Sequence, residues 1–590
     1  MIIVPFILAS QRLARPFISC LLQIEAKIRD IIKSQRFVRP LLHCLIVVVC
    51  CLGCAEPKHP PDDVSMFVEQ LRAPATDSAS DSRPNQSAEL EADIESSLAD
   101  IVPTEIRSFC GDCHALPRPA SFERDVWYEE IRKGYEFYAR SGRQDLKPPA
   151  LEQVLRFYRE HAPAKISFPS VAEVDAVWAS KFEVNKLDWQ DAGYITPAVS
   201  SISWLELMEA GKRHLVVCDM RDGSISLVDP DPQATTRNVL ARVRNPARVA
   251  MVDFDKDGYR DLIVSDLGSF EPFDHQLGQV VLLKRVPGSD QFKPIVLLNH
   301  LGRVADCAAA DFRGDNQIDL VVAEFGHRRV GCIRLLTNRT ARTEIGTGET
   351  VTPPAAGFSF EQELLDIRPG AIRLPVEDWN ADGQLDFAAV TSQEYESVDL
   401  FINRGDKFET HNLSLGADLT FGSVGIELVD LDQDGDQDIL QVNGDCFDNN
   451  YASLLHGISW HENLGNLEFI THRIADLPGA YRALADDIDA DGDLDIVAVA
   501  NLPTMVKPLS LRNSNPVAIL LLEQQDNAPA GLQFVPRVLQ RGTARYAALE
   551  VSDFDGNGKV DFAVGAQLFE TDEAGSPASK LPRLTIWWQK

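Results

Sequence analysis

DIDADGDLDI, residues 487–496, places aspartates at its first, third, fifth and ninth positions and a glycine at its sixth. The pattern recurs as DFDKDGYRDL from Asp253, DFRGDNQIDL from Asp311, DWNADGQLDF from Asp378, DLDQDGDQDI from Asp430 and DFDGNGKVDF from Asp553. Hard oxygen ligands at alternate positions of a tight loop suit Ca2+. An EF-hand would also need a bidentate Glu at position twelve and flanking helices. Position twelve is Val264, Val322, Ala389, Gln441, Ala498 and Val564, and each loop runs between short β-rich stretches such as 248–252 and 262–264. The loop therefore joins two strands.

Successive loops start 52 to 67 residues apart, room for four short strands and their turns. That is the size of a propeller blade. Upstream, Leu215-Val216-Val217-Cys218-Asp219 aligns with Leu262 to Asp266, but ELMEAGKRH from Glu206 has lost the carboxylates. It reads as a degenerate seventh blade, and the expected fold is a mainly β, seven-bladed β-propeller over residues 185–590.

The repeat resembles the FG-GAP or VCBS family of integrin α-subunits and bacterial envelope proteins. The resemblance implies calcium ligands at Asp253, Asp255, Asp257 and Asp261, at Asp378, Asn380, Asp382 and Asp386, and at Asp430, Asp432, Asp434 and Asp438. Two further sets are Asp487, Asp489, Asp491 and Asp495, then Asp553, Asp555, Asn557 and Asp561. Arg313 stands at position three of the second loop, where a guanidinium can neutralise Asp311 and Asp315 in place of a metal. Five calcium sites are expected, not six, with a stabilising role.

Of 590 residues, 45% are apolar and 25% charged, and the formal net charge of -31 argues against nucleic-acid binding. Lys33, Arg36 and Arg39 precede an apolar run ending in Cys51-Leu52-Gly53-Cys54. Residues 1–53 read as an export signal, too short in their apolar core to span a bilayer. The Gly-Cys junction resembles a bacterial lipobox, implying a lipid anchor on Cys54, although Cys51 stands where that pattern has Leu. Residues 54–100, rich in Pro, Ser and acids, read as a flexible linker.

Cys110-Gly111-Asp112-Cys113-His114 is the c-type haem attachment pattern, with two thiols for the vinyl groups and a histidine for the iron. A disulfide, a zinc site and a chance match are its rivals. Helical spacing is expected from Ser121 to about Arg140 and from Pro149 to His161, so residues 101–165 resemble a minimal cytochrome c domain. With no Met between His114 and Met208, His161 is the candidate sixth ligand, with Lys133, Tyr135 or an open position as alternatives.

Strand alternation sends other loops to the face opposite the acidic ones. These carry Arg303, Arg373, Arg482 and Arg545, with Glu324, Glu394, Asn443 and Asp445. Such a cluster can bind an anion, a substrate or the haem segment, or close the channel by salt bridges. His456, Trp460 and His461 form a further compact group, a weak metal signal beside a packing role. The expected function is electron transfer at the cell envelope with the propeller as docking or substrate platform. The alternative is a non-catalytic, calcium-dependent adhesion or recognition propeller.

Overall fold

The second strand of almost every sheet is buried along its whole length. Asp261–Asp266, Asp319–Glu324, Asp386–Thr391, Asp438–Asn443, Asp495–Ala500 and Asp561–Ala566 are such strands. Neighbouring sheets cover both faces, so apolar residues run on without alternating, as in Leu262-Ile263-Val264. Fully burying one such side chain stabilises by about 1.5–3 kcal/mol. These strands belong to a computed structural model that describes residues 101–590 apart from 113–114, 170–171, 190–194, 232–235, 341–356, 417, 526–531 and 570–580. The export signal 1–53, Cys54, the linker 54–100, Cys113 and His114 lie outside the described residues.

Seven antiparallel sheets follow one another along the chain, and the fold is a seven-bladed β-propeller. The degenerate blade is first: β2 (Val199–Glu209) and β3 (Lys212–Asp219) meet at a tight turn, with Glu209 paired to Lys212, where other blades carry the acidic loop. The last blade borrows its outermost strand from the start of the propeller. There β1 (Phe182–Leu187) pairs antiparallel with β29 (Leu584–Gln589), so the propeller begins three residues before the expected boundary. This pairing ties the two ends of the ring together.

Residues 101–168 form a helical unit of α1 (Thr104–Cys110), a 3-10 turn (Pro119–Ser121), α2 (Trp127–Ser141) and α3 (Leu151–His161). Helix α2 starts six residues later than the spacing suggests. Phe122 is extended and the Glu123 carboxylate accepts the Ile166 N–H at 3.1 Å, so this stretch is anchored outside the helix. Gly142 ends α2 in the left-handed conformation, φ 74°, which favours glycine. Trp127 stacks on Tyr158 at 4.1 Å, and Ile106, Val154 and Phe157 complete the core.

That core continues into the propeller, within one compact unit. Tyr451 is part of it, packing edge-on against Phe122 at 5.0 Å and accepting the Glu123 N–H at 3.1 Å. The Asp418 carboxylate accepts the Arg118 N–H at 2.9 Å and the Ser121 hydroxyl at 2.6 Å. Asp418 lies in the connection entering the fifth blade and Tyr451 in the one after its second strand. Both are on the face opposite the acidic loops.

Candidate functional sites

Each acidic loop is built by its first aspartate. In the loop from Asp253, the carboxylate accepts the N–H groups of Asp257 and Gly258, both at 3.0 Å. Asp378, Asp487 and Asp553 make the equivalent bonds, and Asp430 accepts from Gly435 at 3.1 Å. Position six is left-handed in every loop, at Gly258, Asn316, Gly383, Gly435, Gly492 and Gly558, which explains glycine in five and asparagine in the sixth.

The ninth aspartate has a second duty that the sequence does not show. Asp261, Asp386, Asp438 and Asp561 each accept one N–H from the loop's second residue and another from the end of the third strand, as Asp386 does from Trp379 and Asn403. They fasten the loop to the blade. Burial, against these hydrogen bonds, pushes the carboxyls of Asp386, Asp438 and Asp561 up to about 6 and that of Asp495 to about 7.

The loop carboxylates converge. Ligand oxygens of Asp253, Asp255 and Asp261 lie within 4.8 Å of one another, as do those of Asp430, Asp432 and Asp438, of Asp487, Asp489 and Asp491, and of Asp553, Asp555 and Asp561. Asp430 Oδ1 and Asp495 Oδ2 are buried without a hydrogen-bond partner among the described residues. In the third loop Asn380 stands among Asp378, Asp382 and Asp386, its side-chain oxygen accepting the Asp382 N–H at 3.0 Å. In the first, Lys284 reaches Asp255 and lies 3.2 Å from Asp257.

In the second loop Arg313 fills the place of a cation. Its guanidinium makes paired hydrogen bonds to Asp319, at 2.9 and 3.0 Å, and lies 2.7 Å from Asp315. Asp315 is a partner the sequence suggests; the other is Asp319 rather than Asp311, because Asp311 is occupied by the N–H groups of Asp315 and Asn316.

The charged residues expected on the opposite face separate into two groups. Arg373 and Arg482 meet at the propeller axis, where both bind Glu427, and Arg373 also bonds Asp306 at 2.9 Å. The others take local partners. Arg303 is buried, donates to the Phe270 carbonyl at 3.3 Å and lies over the Phe325 ring. Glu324 pairs with Arg334 at 2.8 Å, Asn443 donates to the carbonyls of Phe421 and Leu455, and Arg545 bonds Thr504 at 2.6 Å. Asp445 is pushed up to about 6 by burial and by Asp448, and Glu394 is half-buried.

The axial group includes Arg248, Asp306, Glu427 and Glu550, which single-site reading missed. Aligning the repeats reveals them. The residue five before each acidic loop is Arg248, Asp306, Arg373, Gly425, Arg482 and Ala548, and the residue three before the fourth and sixth loops is Glu427 and Glu550. Gly425 leaves space beside the Arg482 guanidinium, 3.7 Å from where a Cβ would stand.

His461 hydrogen-bonds Gln441 and Thr471, both at 2.8 Å, and Trp460 stacks on His472 at 4.7 Å, so this group packs a blade. Burial holds His456 and His461 down at about 3, against an unfolded value of 6.5. A depressed histidine adds nothing above the unfolded value and costs stability as pH falls from 6.5 toward 3, when only the unfolded chain gains the proton. At pH 4.5 the loss is about 2–3 kcal/mol per histidine. Denaturant midpoints at pH 7 and 4.5 are expected to differ less in His461→Gln; an unchanged difference rules this out. Cys218, Cys307, Cys332 and Cys446 are buried and free, as their dispersed spacing suggests.

In the helical unit, Cys110 ends α1 among partly buried Leu116 and Tyr135, and burial pushes its thiol up to about 11. His161 ends α3 exposed, with Nδ1 on the Phe157 carbonyl at 2.8 Å.

No curated protein matches this chain. Among solved structures, one described as BBS1N in complex with ARL6DN is 10% identical, covering 70% of this chain and 97% of that chain at a TM-score of 0.39. A mitotic checkpoint complex chain is 11% identical (72% and 97% covered, TM-score 0.38), and Sqt1 from Saccharomyces cerevisiae is 9% identical (69% and 99%, TM-score 0.35). Similarities of that size carry no argument. Residues 378–440, from the third acidic loop to the second strand of the next blade, match the family model described as an FG-GAP-like repeat, which together with seven blades supports the propeller family.

Proposed function

We propose that the chain is an exported electron-transfer protein of the cell envelope, with haem c on the helical unit and Ca2+ in five propeller loops. The propeller serves as docking or substrate platform, and a lipid on Cys54 with the 54–100 linker holds the assembly at a membrane. The observation that carries this reading is the position of Cys110, at the end of a helix whose core is continuous with the propeller through Tyr451.

The residues present fit haem better than thiol exchange. An exchanging cysteine needs a lowered pKa, and Cys110 has the opposite. Its neighbours Phe109, Tyr135 and Tyr138 form an aromatic cluster with ring spacings of 5.1 Å, a surface suited to a porphyrin edge. Cys113 and His114 would supply the second thioether and an iron ligand. Bound haem supplies one-electron chemistry. His161 is the proposed sixth ligand, through Nε2, because Nδ1 is committed to its own helix.

Calcium fits five loops for the reason it does not fit the second. Carboxylates converge in four loops, the third adds the Asn380 amide oxygen to three carboxylates, and only in the second does a guanidinium pair with the ninth aspartate; Lys284 in the first loop contacts Asp255 and Asp257 from outside the loop. The ions stabilise the fold and have no assigned catalytic role.

The test is a visible spectrum, oxidised and dithionite-reduced, of protein exported from a host that matures c-type haem. A covalent haem signal absent from Cys113→Ala is expected. A wild-type protein without haem would overturn this function and favour a calcium-dependent recognition propeller.

A further inference from the structure

At the centre of the propeller, between the axial charges and the acidic-loop ends of the inner strands, lies a cavity of about 360 Å³. Its floor is polar, formed by Arg248, Asp306, Arg373 and Glu427. Its wall is apolar, with Ala250, Pro375, Val376 and Leu428 among its residues. Arg248 and Ala250 are only half-buried although they stand on an inner strand, so the cavity reaches solvent.

The floor is not electrically closed. Glu427 is shared by Arg373 and Arg482, and Asp306 is bonded by Arg373 and by the N–H groups of Cys307 and Leu374. Arg248 is left with one ion contact, 3.8 Å to Asp306, and no hydrogen bond among the described residues. Burial and the guanidiniums of Arg373 and Arg482 lower Arg248 to about 9, while burial raises Glu550 to about 8. Arg248 is thus the axial guanidinium with the fewest partners, and it lines the cavity.

We propose that this cavity binds a small organic monocarboxylate, its carboxylate on the free guanidinium of Arg248 and its apolar body against Pro375 and Leu428. Guanidinium matches carboxylate with two parallel hydrogen bonds, which a halide does not reproduce. The cavity is large enough for a short carbon chain, and the wall offers that chain no polar partner. A dicarboxylate would leave its second charge against apolar side chains. This site does not depend on haem.

Calorimetric titration of the full chain at pH 7, in calcium-containing buffer, uses butyrate as probe, butyramide as its neutral counterpart and chloride as a simple anion. One butyrate per chain is expected, with butyramide and chloride each at least about tenfold weaker. Arg248→Met is expected to weaken butyrate by at least about tenfold. Met keeps the length of the side chain without its charge, and Asp306 keeps its bonds from Arg373, Cys307 and Leu374, so the variant should melt close to wild type. Ala250→Leu fills the cavity without touching a charge and should have the same effect on binding. No butyrate heat in wild type, equal binding by butyramide, or unchanged binding in both variants would overturn the proposal. Chloride binding as tightly as butyrate would overturn it too, leaving a structural halide site.

Discussion

With calcium in the five loops as proposed, a chelator is expected to lower the melting temperature of the protein by at least about 10 °C. An ion that binds only the folded state, present at about 100 times its dissociation constant, stabilises by about 2.7 kcal/mol per site. Five sites together exceed about 10 kcal/mol, as much as the whole stability of many domains. The loops are where that energy enters, because the first aspartate closes each loop and the ninth fastens it to the blade. Without the cation, carboxylates within 4.8 Å repel one another. Arg313→Asp inverts the logic of the second loop. It removes the bidentate partner of Asp319 and installs a carboxylate at position three, so calorimetry should count six calcium ions instead of five. A stoichiometry unchanged by this substitution, or a chelated protein as stable as the loaded one, would refute the cation account.

The second large effect is expected at Arg583. This guanidinium is 2% exposed and joins three parts of the chain that meet where the ring closes. It bonds Asp219 of the first blade at 3.2 Å, Asp188 just after β1 at 2.7 Å, and the carbonyl of Ile195. Asp219 is fully buried, and burial together with Asp222 already pushes its carboxyl up against the pull of Arg583. Arg583→Met leaves that carboxylate with only its backbone donors, Ala198, Arg221 and Asp222. Breaking one side of a buried pair costs about 3–5 kcal/mol. Denaturant unfolding should show this loss, and adding Asp219→Asn should recover part of it. A loss below about 1 kcal/mol would mean that the backbone donors suffice.

The two predictions differ in how visible their residues are in the sequence. The acidic loops are legible because their pattern is local: ten residues hold the convergent carboxylates, the turn and the start of the next strand. Arg313 is legible for the same reason, although its partner Asp319 depends on which N–H groups occupy Asp311. Ring closure has no local signature, since Phe182–Leu187 pairs with strand residues four hundred positions away. The axial network is intermediate. Arg248, Asp306, Arg373 and Glu427 come from four blades, and only the register of the repeats shows that they share a layer. The residues expected on the opposite face fall into two groups because residues with similar loop positions, such as Arg303 and Arg373, take different partners. Arg373 is two residues inside its strand, facing the axis.

The helical unit is legible in outline from the helical spacing between Ser121 and Arg140 and between Pro149 and His161. Its seat on the propeller is not, because Asp418 and Tyr451 look like ordinary loop residues until Arg118, Ser121 and Glu123 are placed against them.

The most direct measurement is the intact mass of the exported protein, first under native and then under denaturing conditions. A native mass containing one haem and five calcium ions is expected, and a denatured mass that keeps the haem while losing all the calcium. A denatured chain without haem would contradict the electron-transfer function, and a native chain with no calcium, or with six ions, would contradict the reading of the loops.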